Sequence, residues 1–280
     1  MVDQLAVLGW PIGHSLSPAI HRAAYSTLGL PWRYSAVRCG ADSLAAFVAS
    51  RGPEWRGFSV TMPLKEEAHR IARDLDPVAR ASGVVNTLRR RDDGRGWDGF
   101  NTDVAGLATA IGAAGLDPAD TIVLGTGATA VSAVLAAQRL GAGRIRVAGR
   151  NSAAAAALAA RGDEATAMSA HGLADEALRD GSSTLIISTL PGPAGRALDV
   201  PAALTAVPLF DVAYDPWPSP LAERWRAAGG VAHPGTAMLI EQAIVQVRIF
   251  SSGDPDTPLA DEGAVRAAMR GATASADMGG

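Results

Sequence analysis

An α/β protein of two domains is predicted by three features of this sequence. The chain has 280 residues, more than one domain usually holds, so two units of about 100–150 residues are expected. Short apolar runs alternate with segments of helical spacing in two separate series, which predicts mainly parallel sheets. The second series contains a glycine turn, Gly125-x-Gly127-x-x-Ala130, set between an apolar run and a helical pattern.

Taken in order, Leu5–Gly9 reads as a short buried strand, and "SPAIHRAAYSTLGL" as a helix closing at Gly29. "WRYSAVRC" alternates like a strand and "DSLAAFVASRG" has the spacing of a helix. "GFSVTM" is again strand-like, and "PLKEEAHRIARDLD" reads as one helix opened by Pro63 in its first position. Lys65 then falls in a first turn, where the helix dipole disfavours a cation. Two extended segments flank Asp93-Gly94, a dipeptide that favours tight hairpins, and folding about it brings Asn86 towards Asp103. The basic run Arg89–Arg91 is expected at the solvated hairpin tip. In the second series "TIVL" and "RIRVA" bracket the glycine turn and its helix, and Thr184–Leu190 and Pro208–Tyr214 read as further strands. The Ala153–Ala160 tract is a helix, since alanine is the best helix former. An amphipathic segment over Leu239–Phe250 and a helix near Leu259–Arg270 complete the chain, with a disordered tail expected from Gly271.

Composition narrows the class. Apolar residues make up 48%, charged residues 19%, and the net charge is −3, as in ordinary soluble proteins. The arginines are scattered, so no nucleic-acid-binding face is expected. No run approaches a membrane span, and the N-terminus lacks the basic region of a signal peptide. A single cysteine, Cys39, rules out an internal disulfide and a cysteine-based zinc site, and no two histidines have metal-ligand spacing. Cytoplasmic location and no metal are the expectations.

The glycine turn follows a strand and opens a helix, the context that makes it a dinucleotide fingerprint. Gly125 makes the turn, Gly127 admits a pyrophosphate, and Ala130 lets helix and strand pack. About 20 residues on, where an NAD-binding chain carries an acid, this one has Arg150, followed by Asn151 and Ser152. A guanidinium suits a 2′-phosphate, which points to NADP. In the first half, Ser15 and Ser17, Thr61 and Lys65, Asn86, and Asp103 fall at element ends, where α/β sheets bind ligands. Singly, Ser15, Ser17 and Asp103 read more readily as helix caps than as ligand contacts. Together they suit a small polyhydroxylated anion.

From end to end the chain resembles the shikimate dehydrogenase family: "PIGHSLSPAIH", "SVTMPLK", "GVVNTL", "NTD", "GTGATA", "DVAYDPWPSPL" and "GTAMLIEQA" occur in the family's order and approximate spacing. Its actinobacterial members often carry "SVTMP" where others have asparagine at the Ser59 position. The resemblance implies an α/β substrate-binding domain of residues 1–103 plus 236–270, a Rossmann-type NADP-binding domain of residues 104–235, a cleft between them, and a tail of residues 271–280. It implies reversible NADPH-dependent reduction of 3-dehydroshikimate to shikimate, on the route to chorismate and aromatic amino acids, by a monomer or homodimer. Lys65 and Asp103 would be the catalytic pair. Ser15 and Ser17 would hold the carboxylate, with Thr61, Asn86, Tyr214 and Gln242 on the ring. Gly125, Thr126, Gly127, Ala128, Thr129, Arg150, Asn151, Ser152, Thr189, Val212 and Gly235 would border NADP(H).

The chain departs from the family in three places. "GAGGA" is here Gly125–Thr129 with threonines at 126 and 129, Ala154 replaces the second basic residue of the phosphate clamp, and "GLGM" reads Gly235-Thr236-Ala237-Met238. A quinate or aminoshikimate dehydrogenase is the alternative within the family. A non-catalytic sensor of the same fold is opposed by the presence of both Lys65 and Asp103, and a folate-type dehydrogenase by the Ser15/Ser17 pair.

Overall fold

A computed structural model describes residues 2–198 and 202–277. The chain divides into two compact units, one formed by Met1–Gly106 with Leu239–Gly280 and the other by Leu107–Met238. In chain order the first unit holds β1 (Gln4–Gly9), α1 (Ser17–Thr27), β2 (Arg33–Arg38), α2 (Ala41–Ala49), β3 (Trp55–Val60), α3 (Lys65–Ile71), β4 (Asp74–Leu75), α4 (Pro77–Ser82), β5 (Thr87–Arg90) and β6 (Trp97–Phe100). α5 (Asp103–Ala113) leads into the second unit, which holds β7 (Asp120–Leu124), α6 (Ala128–Arg139), β8 (Arg144–Ala148), α7 (Ser152–Ala159), β9 (Ala167–His171), β10 (Leu185–Ser188), α8 (Ala202–Thr205), β11 (Leu209–Asp211), α9 (Pro220–Ala227) and β12 (Ala232–Pro234). α10 (Thr236–Ser252) and α11 (Glu262–Asp277) bring the chain back to the first unit.

The first sheet has the order β2-β1-β3-β5-β6-β4. β1 lies parallel to β2 and β3, whereas β5 is antiparallel to both β3 and β6. Side chains alternate across a strand, so β1 feeds two cores. Leu5 and Val7 join Ile20 of α1, Ile244 and Val247 of α10, and Met269 of α11 on one face. Ala6 and Leu8 join Leu44 of α2, Ala68 of α3 and Ala79 of α4 on the other. Full burial of each such leucine or isoleucine contributes about 1.5–3 kcal/mol.

Three local expectations are corrected. The stretch from Pro63 to Asp76 is not one helix: Leu64 is the N-cap, Lys65 the first helical residue, and Pro63 lies in the turn before them. That helix ends because Ala72 turns extended and the amide of Arg73 bonds to the Trp97 carbonyl at 2.8 Å. Asp76 then caps α4 by accepting the Ala79 amide at 2.8 Å. Second, Arg89–Arg91 is no solvated tip. The Arg90 guanidinium lies 4.3 Å from the Trp97 ring centroid and donates to the carbonyls of Arg51, Gly52 and Trp55, while Arg91 pairs with Asp74 and Asp98. The tip is Asp92–Gly96, where Gly94 (φ 71°) and Gly96 (φ 94°) supply the left-handed conformations of the turn. Third, the last helix continues past Arg270 to Asp277. The segment from Gly271 is therefore helical that far, and residues 278–280 lie outside the described part. β9 and β12 form the two edges of the second sheet.

That second sheet is parallel throughout, with the order β12-β11-β10-β7-β8-β9. Numbered within the unit, this is 3-2-1-4-5-6, whose strand order reverses between β7 and β10. At the opposite, amino-terminal edge an ion-pair cluster joins β7 and β8. Arg146, its side chain only 3% exposed, donates to Asp120 at 2.8 Å and Asp180 at 2.9 Å. Burial pushes the Asp120 carboxyl up, but the bonds from Arg144 and Arg146 outweigh it and hold it below its ordinary value. Hydrogen bonds from Ser182 and Arg146 likewise depress Asp180.

A carboxylate depressed by folding stabilises the protein above its unfolded pKa and loses that contribution as pH falls through the folded one. Asp120→Ala should therefore cost about 3 kcal/mol at pH 7, because it leaves Arg146 buried with one partner fewer. Urea denaturation should show the gap between wild type and variant narrowing below about pH 4. A gap unchanged down to pH 2 would refute this account of the cluster.

Candidate active site

In the first unit the site residues meet at one edge of the sheet. β1 and β3 run parallel, so the loops after Gly9 and Val60 leave from the same side. Ser15 and Ser17 lie in the first loop and at the start of α1, and the Ser17 amide bonds to the Ser15 hydroxyl at 3.3 Å. Neither serine caps α1, because Leu16 holds the cap position and makes no side-chain bond there. Thr61 follows β3, packed so closely against Gly9 that a Cβ there would stand 2.4 Å from the Thr61 methyl. β5 is antiparallel to β3 and pairs Thr87 with Ser59, so Asn86, just before β5, reaches the same edge. β6 pairs Phe100 with Thr87, so Asn101–Asp103 arrive there too.

Lys65 Nζ donates to Asp103 Oδ2 at 2.5 Å, with the two side chains 11% and 7% exposed. Asp103 is the first residue of α5, and its amide is capped by Asn101 Oδ1 at 3.0 Å. Its carboxylate is thus free of capping duty and faces the lysine. The other oxygen, Oδ1, accepts from Asn86 Nδ2 at 2.8 Å. Asn86 Nδ2 also lies 2.8 Å from Thr102 Oγ1 and 3.3 Å from Gln242 Oε1. Gln242 comes from α10, which packs on α5 at Gly106: a Cβ on Gly106 would sit 2.6 Å from the Gln242 amide nitrogen. Lys65, Asn86, Asp103 and Gln242 therefore form one cluster. Thr102 belongs to it and was missed, although its place in "NTD" directly before Asp103 was a signal.

The second unit carries the cofactor candidates. Gly125 (φ 121°) turns the chain immediately after β7, where Thr189, at the end of β10, donates backbone and side chain to the Leu124 carbonyl at 2.8 and 3.0 Å. A Cβ at Gly125 would meet Thr189 Oγ1 at 2.3 Å, which explains the glycine. Gly127 is the N-cap of α6, with no side chain satisfying the first amides, and open space where its Cβ would be. Ala130 is fully buried against the sheet. Thr126 and Thr129 complete the loop and first turn. A glycine loop opening onto uncapped amides at a strand-order reversal fits a pyrophosphate.

Arg150 is exposed just beyond β8. Asn151 and Ser152 open α7, with Asn151 Oδ1 accepting the Ala154 amide at 3.0 Å. Gly235 is forced by its neighbour, because a Cβ would lie 2.0 Å from the Val212 carbonyl oxygen. Asp211 holds the Val212 turn by accepting the Ser219 hydroxyl at 2.5 Å and the Ala213 amide at 3.2 Å. Tyr214 follows, half-buried, its hydroxyl pKa raised by burial and by Asp215. Among the described residues no group of three histidine, cysteine or acidic side chains could hold a metal, and no helix is long and apolar enough to cross a membrane.

A 3-2-1-4-5-6 sheet with its glycine turn at the reversal, in a chain that also builds a lysine–carboxylate pair, defines a dinucleotide-dependent dehydrogenase class. The family model described as the shikimate dehydrogenase substrate binding domain matches residues 7–88. Over 278 residues the chain is 34% identical to the shikimate dehydrogenase (NADP(+)) of Rubrobacter xylanophilus, covering 95% of each. It is 39% identical to the crystal structure of Mycobacterium tuberculosis shikimate dehydrogenase, with a TM-score of 0.85 over 98% of this chain and 99% of that one. The Thermus thermophilus shikimate 5-dehydrogenase, solved with NADP(H) and shikimate, gives a TM-score of 0.82 at 29% identity over 97% and 100% of the two chains. The chain belongs to the shikimate dehydrogenase family.

Proposed function

We propose that the chain is an NADP-dependent shikimate dehydrogenase, interconverting shikimate and 3-dehydroshikimate. The observation that carries this reading is the Lys65–Asp103 pair, held at 2.5 Å in a nearly buried cluster that Asn86 and Gln242 complete. The cofactor supplies hydride chemistry, which is its own. What remains for the protein is one proton, because an alcohol becoming a ketone loses a hydride from carbon and a proton from oxygen. Lys65 Nζ takes that proton in oxidation and returns it in reduction. Asp103 Oδ2 fixes the nitrogen and offsets the charge it gains, and with one hydrogen committed to Asp103 the ammonium still has two to donate.

The other assignments follow from the family resemblance and the positions described above. Ser15 and Ser17 hold the ring carboxylate; Thr61, Asn86, Gln242 and Tyr214 take the ring hydroxyls. Gly125–Thr129 bind the pyrophosphate through backbone amides, Arg150 with Asn151 and Ser152 receives the 2′-phosphate, and Thr189, Val212 and Gly235 border the cofactor. Residues 1–106 and 239–280 then serve as the substrate unit and 107–238 as the NADP unit. The single cysteine suits a cytoplasmic location, and the reaction belongs to aromatic amino acid biosynthesis, carried out by a monomer or homodimer.

Initial rates with shikimate, quinate and an aminoshikimate, each with NADP+ and NAD+, test the reading. Shikimate with NADP+ should be the preferred pair, and a preference for quinate would move the protein to the alternative within the family. Lys65→Ala should lower kcat by about 10²–10⁴-fold with little change in KM, the range expected for a lost acid–base group. Near-normal turnover would sink the assignment. Arg150→Ala should lower kcat/KM for NADP+ by about 10–100-fold, the worth of a hydrogen bond to a charged group, and leave NAD+ unaffected. Equal losses with both cofactors would remove Arg150 from the phosphate site.

A further inference from the structure

Behind Asn86 runs a line of buried polar side chains that the proposed chemistry does not use. Tyr34 Oη lies 2.6 Å from Ser59 Oγ, which lies 2.7 Å from Gln246 Oε1. Gln246 Nε2 lies 2.9 Å from Thr87 Oγ1, which lies 2.9 Å from Asn86 Oδ1. Asn86 Nδ2 then reaches Asp103, and Asp103 reaches Lys65. Tyr34, Ser59, Thr87, Asn86, Asp103 and Gln246 are each 5% exposed or less. Groups so buried keep their partners or lose stability.

From Tyr34 as far as Asp103 the donors in this line all point the same way, and each fixes the next, while Lys65 donates to Asp103 from the other side. The Thr102 amide donates to Asn86 Oδ1 at 2.9 Å, so that atom is an acceptor and Nδ2 must face Asp103. Thr87 commits its proton to Asn86 Oδ1, so its oxygen can only accept from Gln246. Gln246 therefore presents Nε2, which also meets the Asn86 carbonyl at 3.2 Å. Its Oε1 is left to accept from Ser59 and, at 3.2 Å, from His21 Nε2. Burial lowers the His21 pKa to about 3, so the ring is neutral, with Nδ1 accepting from the Tyr25 hydroxyl at 3.1 Å. Ser59, having donated, accepts from Tyr34.

We propose that Gln246 is a positioning residue for the reaction: with Ser59 behind it and Thr87 ahead, it aligns a one-way hydrogen-bond chain that turns the Asn86 amide onto Asp103 and so holds the carboxylate on Lys65. The proposal rests on the catalytic reading of Lys65 and Asp103 given above. Bonds aligned head to tail polarise one another, so each strengthens the last, which ends on the one charged acceptor. A hydroxyl at position 59 suits this because it accepts and donates in line. Gln246 and Gln242 lie one helical turn apart on α10, and both serve Asn86, one from each side.

Thr87→Val cuts the chain between Gln246 and Asn86 at nearly constant volume. With shikimate and NADP+ it should lower kcat by about tenfold and change KM less than about twofold, and Thr87→Ser should restore kcat to within about twofold. In an Asp103→Asn background the same valine should cost less than about twofold, because the two act through one path. Equal losses in both backgrounds, a raised KM with unchanged kcat, or no loss would overturn the proposal. Should Thr87→Val not fold, Ser59→Ala takes its place in the same cycle, with about a threefold loss expected one link farther away. A second readout needs no turnover: the side-chain amide resonances of Asn86 should shift in Thr87→Val and return in Thr87→Ser. Unmoved resonances overturn the proposal whatever the activity, whereas wild-type protein inactive on shikimate with these shifts present fails the functional reading alone.

Discussion

The first unit is organised around an ion pair that water hardly reaches. Removing a lysine and an aspartate from water costs several kcal/mol per ion, and their attraction offsets that cost only when the remaining lone pairs and protons are also satisfied. Here Asp103 accepts Lys65 on one oxygen and Asn86 on the other, and Asn86 is held in turn by Thr102 and Gln242. Those contacts come from α3, α5, α10 and the ends of β5 and β6. The mixed sheet, with β5 antiparallel to β3, brings the start of one strand beside the end of another. An all-parallel sheet would have put Asn86 at the far edge.

The pair also accounts for a lysine in the first position of α3. A cation there runs against the helix dipole, and Glu66 and Glu67 in the same turn obey the rule that Lys65 breaks. A local preference worth less than about 1 kcal/mol yields readily to a tertiary contact with a nearly buried carboxylate. The second unit shows the reverse, with local rule and tertiary need in agreement. Gly125 takes a conformation that glycine adopts freely and lies where a side chain would strike Thr189, while Gly235 leaves room for the Val212 carbonyl.

Much of this was legible in the residues themselves. The two β-α series, the hairpin about Asp93-Gly94, the strand–glycine turn–helix context and the approach of Asn86 to Asp103 all follow from periodicity and turn chemistry, and the structure has them. The break in the helix after Ile71 was not legible, since "HRIARDLD" carries no proline or glycine; the backbone at Arg73 leaves the helix because the Trp97 carbonyl competes for its amide. Arg89–Arg91 looked like a solvated run because composition does not show that Trp97 and three carbonyls surround Arg90. Ser15, Ser17 and Asp103 were readable as caps, and only the bonds actually made show that Leu16 and Asn101 stand at those ends instead.

The sequence by itself determined the fold class, the glycine turn and the family, because each is written in local spacing that adjacent residues enforce. Tertiary structure alone decided which polar side chains act together. Gln246 and Ser59 are 187 positions apart, and Gln242 and Asn86 are 156 apart, so no local pattern couples them. They meet because α10 returns to the first unit and packs on its sheet. There, away from water, every donor must find an acceptor, and that requirement selects the single set of bonds that ends on Asp103.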